Sequence, residues 1–181
     1  MWEAVIVPSA APRARLRVVA RVGLASLCVE LLAPGDPWAS YARTVVVVIR
    51  PGGTNLFVEP APLGRAGAWP WPADDAVHIL TAWDPGDARP SEAENRANQA
   101  ALERELADLE PNGLWDAVGV DPVSGHREEG VVVLGLALEV VLALGARHGQ
   151  DAIFEWTPAA WAVVACRGER RVELGWTATT E

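Results

Sequence analysis

The sequence contains no lysine: its 15 basic residues are all arginine, and 24 acids outnumber them to give a net charge of −9. Affinity for nucleic acid comes largely from neutralised phosphates and needs excess basic charge, so this balance weighs against a nucleic-acid partner. The only cysteines are Cys28 and Cys166. They stand far apart with no metal-ligand or redox spacing, and both are expected to be buried thiols. No apolar run is long enough to cross a membrane, since the stretch Val131–Ala146 is short and carries Glu139. The segment Arg13–Leu32 has an Arg-rich start and an apolar end, but Glu30 interrupts it and no small-residue cleavage site follows. No signal peptide is expected, and the cytoplasm is the expected location. The one Gly-rich turn, Pro51–Gly53, lacks a phosphate-loop or dinucleotide fingerprint. No Ser-His-Asp or Cys-His grouping falls in a local catalytic motif.

The chain has 181 residues, half of them hydrophobic, which is enough for one domain with a full core. Residues 1–37 form a leader of uncertain structure that ends at the break Ala33–Pro37. A single domain is expected over 38–168, with an edge strand or tail over 169–181. Within the domain, the β-branched run 43–50 and the stretch 55–59 read as a hairpin, and the proline-rich segment 60–75 reads as a long loop carrying Trp69 and Trp71. Strands are expected over 77–83, 114–120 and 126–135, and a last hairpin over 151–156 and 161–167. Helices are expected over 92–110 and 137–148, the second closed by Gly149. From Val77 the order is β-α-β-β-α-β. It predicts an α+β fold, a mainly antiparallel ferredoxin-like sheet with two helices on one face and extra N-terminal strands.

The joint between the strand at 77–83 and the following helix reads TAWDPGDARPSEAEN over 81–95. Ser91 and Glu94 fit a capping box. Leu102, Leu106 and Leu109 mark a buried stripe, and extending it backwards lands on Asn98 and Asn95. An unpaired amide in a core slot costs about 1–3 kcal/mol. These amides therefore either satisfy the loop backbone around Asp84–Arg89 or line a polar cleft. In the ferredoxin-like order, Thr81, Trp83, Asp84, Asn95, Asn98, His126, Glu128 and Gln150 share one rim, brought there from five segments. Polar groups converging on a rim are what a binding site needs.

Asp84, Glu94 and Glu128 have the oxygen donors for a hard cation, and His126 would extend the set to a transition metal. Scattered acids specify little, and no metal ligand is assigned from the sequence. His78 reads as a core histidine within a strand, and His148 as a cation at a helix C-terminus. The nine tryptophans read mostly as core, although exposed ones would mark a partner or ligand surface.

The motifs Thr81–Pro85 (T-A-W-x-P), Ser91–Asn95 (S-x-x-E-N) with Asn98, x-x-E-x-G ending at Gly130, and G-Q-x-A-I-F over Gly149–Phe154 together resemble the bacterial family called domain of unknown function 3293. The resemblance spans roughly Tyr41 to Arg167. It implies a small bacterial protein without an assigned activity, and it makes Gln150 a motif residue. The family pattern has an aromatic residue where His126 stands and Asn where Asp84 and Asp151 stand.

The functional expectation is a binding or accessory module for a small polar ligand or a peptide. Its candidate residues are Thr81, Trp83, Asp84, Asn95, Asn98, Glu128 and Gln150. Amides both donate and accept hydrogen bonds, which favours recognition over proton transfer. The alternative is a hydrolase or transferase using Glu128 or Asp84 as base, with or without a divalent metal. No cofactor is specified.

Overall fold

Three short runs are buried at every position: Val45–Val48, Val77–Leu80 and Trp161–Ala165. A strand with one wet face alternates apolar and polar residues, so strands apolar on both sides must be covered twice. A closed sheet does this, with its interior on one side and packed helices on the other. The structure, a computed structural model, describes residues 3–7, 15–19, 36, 38–50, 52, 54–71, 76–86 and 88–181.

The elements in order are β1 (Glu3–Val7), β2 (Arg15–Val19), α1 (Trp38–Arg43), β3 (Val45–Val48), β4 (Leu56–Ala61), β5 (Val77–Leu80), α2 (Glu92–Asp108), β6 (Gly113–Val120), β7 (Arg127–Leu134), α3 (Leu138–Arg147), β8 (Ala152–Trp156), β9 (Trp161–Ala165) and β10 (Arg171–Thr180). β1 and β2 pair antiparallel as their own two-stranded sheet, Glu3 opposite Val19 and Val7 opposite Arg15. The other eight strands close into a barrel in the order β10-β4-β3-β6-β7-β5-β8-β9, with every neighbouring pair antiparallel.

The barrel corrects the expected ferredoxin-like α+β sheet. The strands of the β-α-β-β-α-β segment are neighbours in the order β6-β7-β5-β8, but that sheet has no free edges. β3 pairs with β6 on one side and β9 with β8 on the other. β4 and β10 complete the circle. Residues 169–181, read as an edge strand or tail, contain β10, which bonds β9 through Arg171–Leu174 and β4 through Gly175–Thr180. β4 runs through Pro60, inside the segment expected to be loop. β3 pairs with β4 only from Leu56 to Val58, so at Pro60 the ladder with β3 has already ended and no N–H is needed on that side. The short helix α1 was not foreseen. The segment 20–35, including Cys28, lies outside the described residues.

Two cores follow from the alternation of side chains along the strands. The inner core takes Val46, Val48, Leu56, Val58, Val77, Ile79, Val132, Trp156, Trp161 and Trp176. The outer core takes Leu80, Val131, Val133, Ile153 and Val164 from the wall together with Leu102 and Leu106 of α2 and Val141 and Leu144 of α3. One end of the interior is filled by indoles. Trp156, Trp161 and Trp176 are fully buried. Trp69 packs edge-on to Trp156 and Trp176, with ring centroids 5.0 and 6.0 Å away, and Trp71 lies 6.1 Å from Trp156. At the other end the inward positions are small: Ala117, Gly119, Gly130 and Ala152. That change of side-chain size along one barrel leaves a pocket at the second end.

Candidate functional site

The pocket is walled by Val46 of β3, Ile79 of β5, Ala117 and Gly119 of β6, Gly130 of β7, Phe154 of β8, and Ser40, Tyr41 and Thr44 around α1. Its volume is about 70 Å³, and it opens to solvent. Beside the hydroxyl residues around α1, its polar groups are Thr81, Asp121, His126, Glu128 and Gln150. Gly130 is required by close approach, since a Cβ there would lie 2.9 Å from the Leu80 carbonyl oxygen.

The loop leaving β5 has no regular partner strand, and buried backbone groups must still be paired. Side chains pair them almost one by one. The Ala82 N–H donates to Gln99 Oε1 at 2.9 Å, and the Trp83 N–H to Thr81 Oγ1 at 2.9 Å. The Thr81 hydroxyl donates to the Glu129 carbonyl at 2.7 Å. Gln150 Nε2 donates to the Trp83 carbonyl at 2.9 Å, and the Gly86 N–H to the Gly149 carbonyl at 2.9 Å. Asn95 clamps the tip: the Asp84 N–H donates to its Oδ1 at 2.9 Å, and its Nδ2 donates to Asp84 Oδ1 at 2.7 Å. Asp84 holds φ +43°, a left-handed backbone that Asp tolerates better than most residues. Its first oxygen is committed to Asn95, and its second, Oδ2, lies 4.0 Å from His126 Nε2.

Across the mouth, the turn from β6 to β7 is organised by Asp121, a buried carboxylate. Arg43 grips it through Nε to Oδ1 and Nη2 to Oδ2, both at 2.7 Å. Ser40 and Ser124 hydroxyls donate to it at 2.9 and 2.8 Å, and the Val123 N–H at 2.9 Å. Burial opposes the charge on Asp121, but these donors outweigh it and hold its carboxyl well below the usual range. α1 is thereby tied to the turn that presents His126. His126 Nε2 meets Glu128 Oε1 at 2.8 Å. Burial in the pocket wall raises the Glu128 carboxyl; the bond from His126 works against this, and the neighbouring Asp84 charge adds to it. Tyr41 is pushed up to about 12, first by burial and then by the charges of Asp151 and Glu128.

The residues expected from the sequence are therefore distributed as follows. Thr81, Glu128 and Gln150 line the pocket, and Asp84 stands at its lip beside His126. Trp83 contributes its backbone to the loop network. Asn95 is buried as the loop clamp. Asn98 is half-buried on α2 and lines neither this pocket nor the hollow beside it. The buried face of α2 is Asn95, Gln99, Leu102 and Leu106, so the expected stripe holds at Asn95, Leu102 and Leu106 but takes Gln99 in place of Asn98 and ends before Leu109, which is 44% exposed. Ser91 and Glu94 form the capping box, with the Ser91 N–H donating to Glu94 Oε2 at 2.8 Å. Ser40, Tyr41, Thr44, Asp121 and Gln99 escaped the sequence reading. Gly119 and Gly130 inside strand patterns were the available signal, because glycine there marks close approach or space.

Oxygen and nitrogen donors of Asp84, His126 and Glu128 lie within 4.8 Å of one another, which is the grouping at this mouth suited to a metal ion. Among the described residues, no helix is long and apolar enough to cross a membrane.

The fold and mouth define a closed antiparallel barrel with a partly polar pocket at one end. Residues 80–153 match the family described as Protein of unknown function (DUF3293). The match runs from the end of β5 to the start of β8 and takes in the loop, α2, the His126 turn, Glu128 and Gln150. No curated protein and no solved structure matches the chain.

Proposed function

We propose that the chain is a binding module that seats a small molecule in the barrel mouth. The ligand's apolar body would lie against Val46, Ile79 and Phe154, and its neutral or cationic hydrogen-bonding head would meet Glu128. The observation that carries this reading is the Glu128 side chain, only 29% exposed, set in the wall of a pocket that is mostly apolar. A few polar groups in an apolar concavity are the usual make-up of a small-molecule site. Acidic charge supports a small polar ligand over nucleic acid. The family resemblance and two thiols without disulfide spacing support a bacterial, cytoplasmic setting.

The test is a thermal-shift series in the presence of EDTA with hexylamine, hexanamide, hexanol and hexanoate. The amine and amide are expected to raise the Tm of the native chain, the hexanoate is not, and Glu128→Gln and the pocket-filling Gly119→Leu are expected to abolish the rise. If none of the four probes stabilises the chain, or both variants keep the full response, the reading fails.

A second reading is favoured by the raised carboxyl of Glu128 beside the pocket: a hydrolase or transferase in which Glu128 or Asp84 accepts a proton. Turnover that rises with pH as Glu128 loses its proton, and that vanishes in Glu128→Gln, separates it from a binding module.

A further inference from the structure

We infer that Asp84, His126 and Glu128 form a binding site for one divalent first-row transition ion at the lip of the barrel. The inference goes beyond the ligand reading and does not depend on it.

Three observations carry it. The first is the donor set. Two carboxylates and an imidazole come from two separate segments, the loop after β5 and the turn leading into strand β7 with that strand's first residues, and their donor atoms lie within 4.8 Å of one another. The His126 to Glu128 and His126 to Asp84 separations are 2.8 and 4.0 Å. Two donors each about 2.0–2.2 Å from one ion can be no further apart than roughly 4.4 Å. Both distances fall within that limit, and the 4.8 Å that bounds all three donors lies a few tenths of an ångström above it, a gap that small side-chain rotations close. A mixed nitrogen and oxygen set of this kind suits zinc, manganese, iron or cobalt better than the all-oxygen cages of calcium and magnesium.

The second is the support behind the donors. Metal ligands are usually oriented by further hydrogen bonds. Asn95, itself 3% exposed, binds both the backbone N–H and one carboxylate oxygen of Asp84. The other oxygen is left toward His126. The His126 backbone is fixed by the Asp121 N–H donating to its carbonyl at 2.9 Å, within the turn that Arg43 and Ser40 hold.

The third is position. His126 borders two hollows: the barrel pocket, which it shares with Glu128, and an outer one lined by Asp84, Gly86, Ala88 and Arg89. An ion held by these three side chains keeps coordination positions open to both. Three protein ligands with an open position are the pattern of ions that meet a substrate or ligand, whereas purely structural zinc is closed by four. The ion would also neutralise two adjacent carboxylates on a chain whose net charge is −9.

The test uses the full chain, stripped with EDTA and desalted, then titrated with Co²⁺ by visible absorption and with Zn²⁺ by calorimetry. One equivalent is expected to bind, with Zn²⁺ displacing the cobalt spectrum. His126→Ala, His126→Gln and Asp84→Asn should each weaken the site by tenfold or more, roughly the effect of disturbing a metal's supporting contacts at the least. Glu92→Gln, an exposed acid on α2, should leave it unchanged. Far-UV circular dichroism checks the fold of each variant. His126 is half-exposed, so its two replacements keep the test decisive even if Asp84→Asn unfolds. The inference is overturned by three outcomes: no binding up to about 1 mM metal, binding undiminished in the His126 variants, or Mg²⁺ and Ca²⁺ bound as tightly as Zn²⁺. Because these titrations contain no organic ligand, their failure leaves the hexylamine and hexanamide result to be judged separately.

Discussion

Two amides one helical turn apart by sequence reading have opposite fates. Asn95 sits on the buried face of α2 with both ends of its amide spent on Asp84, while Asn98 is half-buried off that face. Replacing Asn95 by Ala strands the Asp84 N–H and frees its carboxylate within a partly buried loop. We expect Asn95→Ala to lower unfolding stability by about 2 kcal/mol, the cost of leaving such a group without a partner. Asn98→Ala should stay within roughly 0.5 kcal/mol, as surface changes usually do. Urea denaturation of both variants checks the pair, and equal losses would contradict this placement of the two side chains. The crowding of polar residues between 81 and 95 is thus explained first by backbone satisfaction. Its by-product is a fixed Asp84 oxygen beside His126. The sequence showed the crowd, because capping and turn residues act on neighbours in the chain. It did not show that Gln99 takes the Ala82 N–H, because the leucine spacing, read backwards, lands on Asn98, one position short of the buried Gln99.

At the scale of elements, what was legible followed from local chemistry. The capping box of α2 and the Gly149 closure after α3, with φ +76°, depend on residues a few positions apart. α1 was not legible, since six residues with an aromatic face carry no helical period of their own, even with the Trp38 N–H donating to Asp36 Oδ1 at 3.0 Å. What holds α1 is distant: Ser40 and Arg43 bind Asp121, some eighty residues along the chain. This latch has a pH signature. The folded Asp121 carboxyl lies below its unfolded value, so its stabilisation is complete above the ordinary aspartate value of about 3.9 and is lost as the pH falls from there toward the folded one. In Asp121→Ala we expect a loss of roughly 3 kcal/mol at neutral pH, because Arg43 is left without its counter-charge. The variant's stability should also fall less steeply than that of the native chain once the pH drops below about 4. Chemical denaturation at a series of pH values measures both. Parallel curves for the two proteins would remove Asp121 as the source of the acid sensitivity.

At the scale of the molecule, the question is why the sheet closes. The β-α-β-β-α-β segment alone would leave the edges of β6 and β8 open and its inner face, with Val77, Ile79, Val132 and Trp156, in water. Closure covers that face with Trp161, Leu174 and Trp176, residues too far along the chain for any periodicity to link them to β5. Gly175 marks how tightly the seam is made: a Cβ there would lie 2.1 Å from the Pro62 carbonyl oxygen and 2.4 Å from that of Arg65, while the Trp176 N–H donates to Arg65 at 2.8 Å. A domain ending at 168 would be self-sufficient only if β10 were an edge. Here its loss exposes the ladders of both β9 and β4 and opens the tryptophan core. Removing residues 169–181 is therefore expected to abolish cooperative unfolding and the near-ultraviolet dichroism of the packed indoles, with dye binding to exposed apolar surface. Gly175→Val, which keeps every other residue, should act in the same direction, with destabilisation of several kcal/mol from overpacking against backbone. A truncated chain that melts in one sharp transition, with its indole signal intact, would mean that the barrel stands without its last stave. The mouth pocket, which depends on β3, β5, β6, β7 and β8 being held in one ring, would then owe its shape to the family segment and the strands beside it rather than to closure.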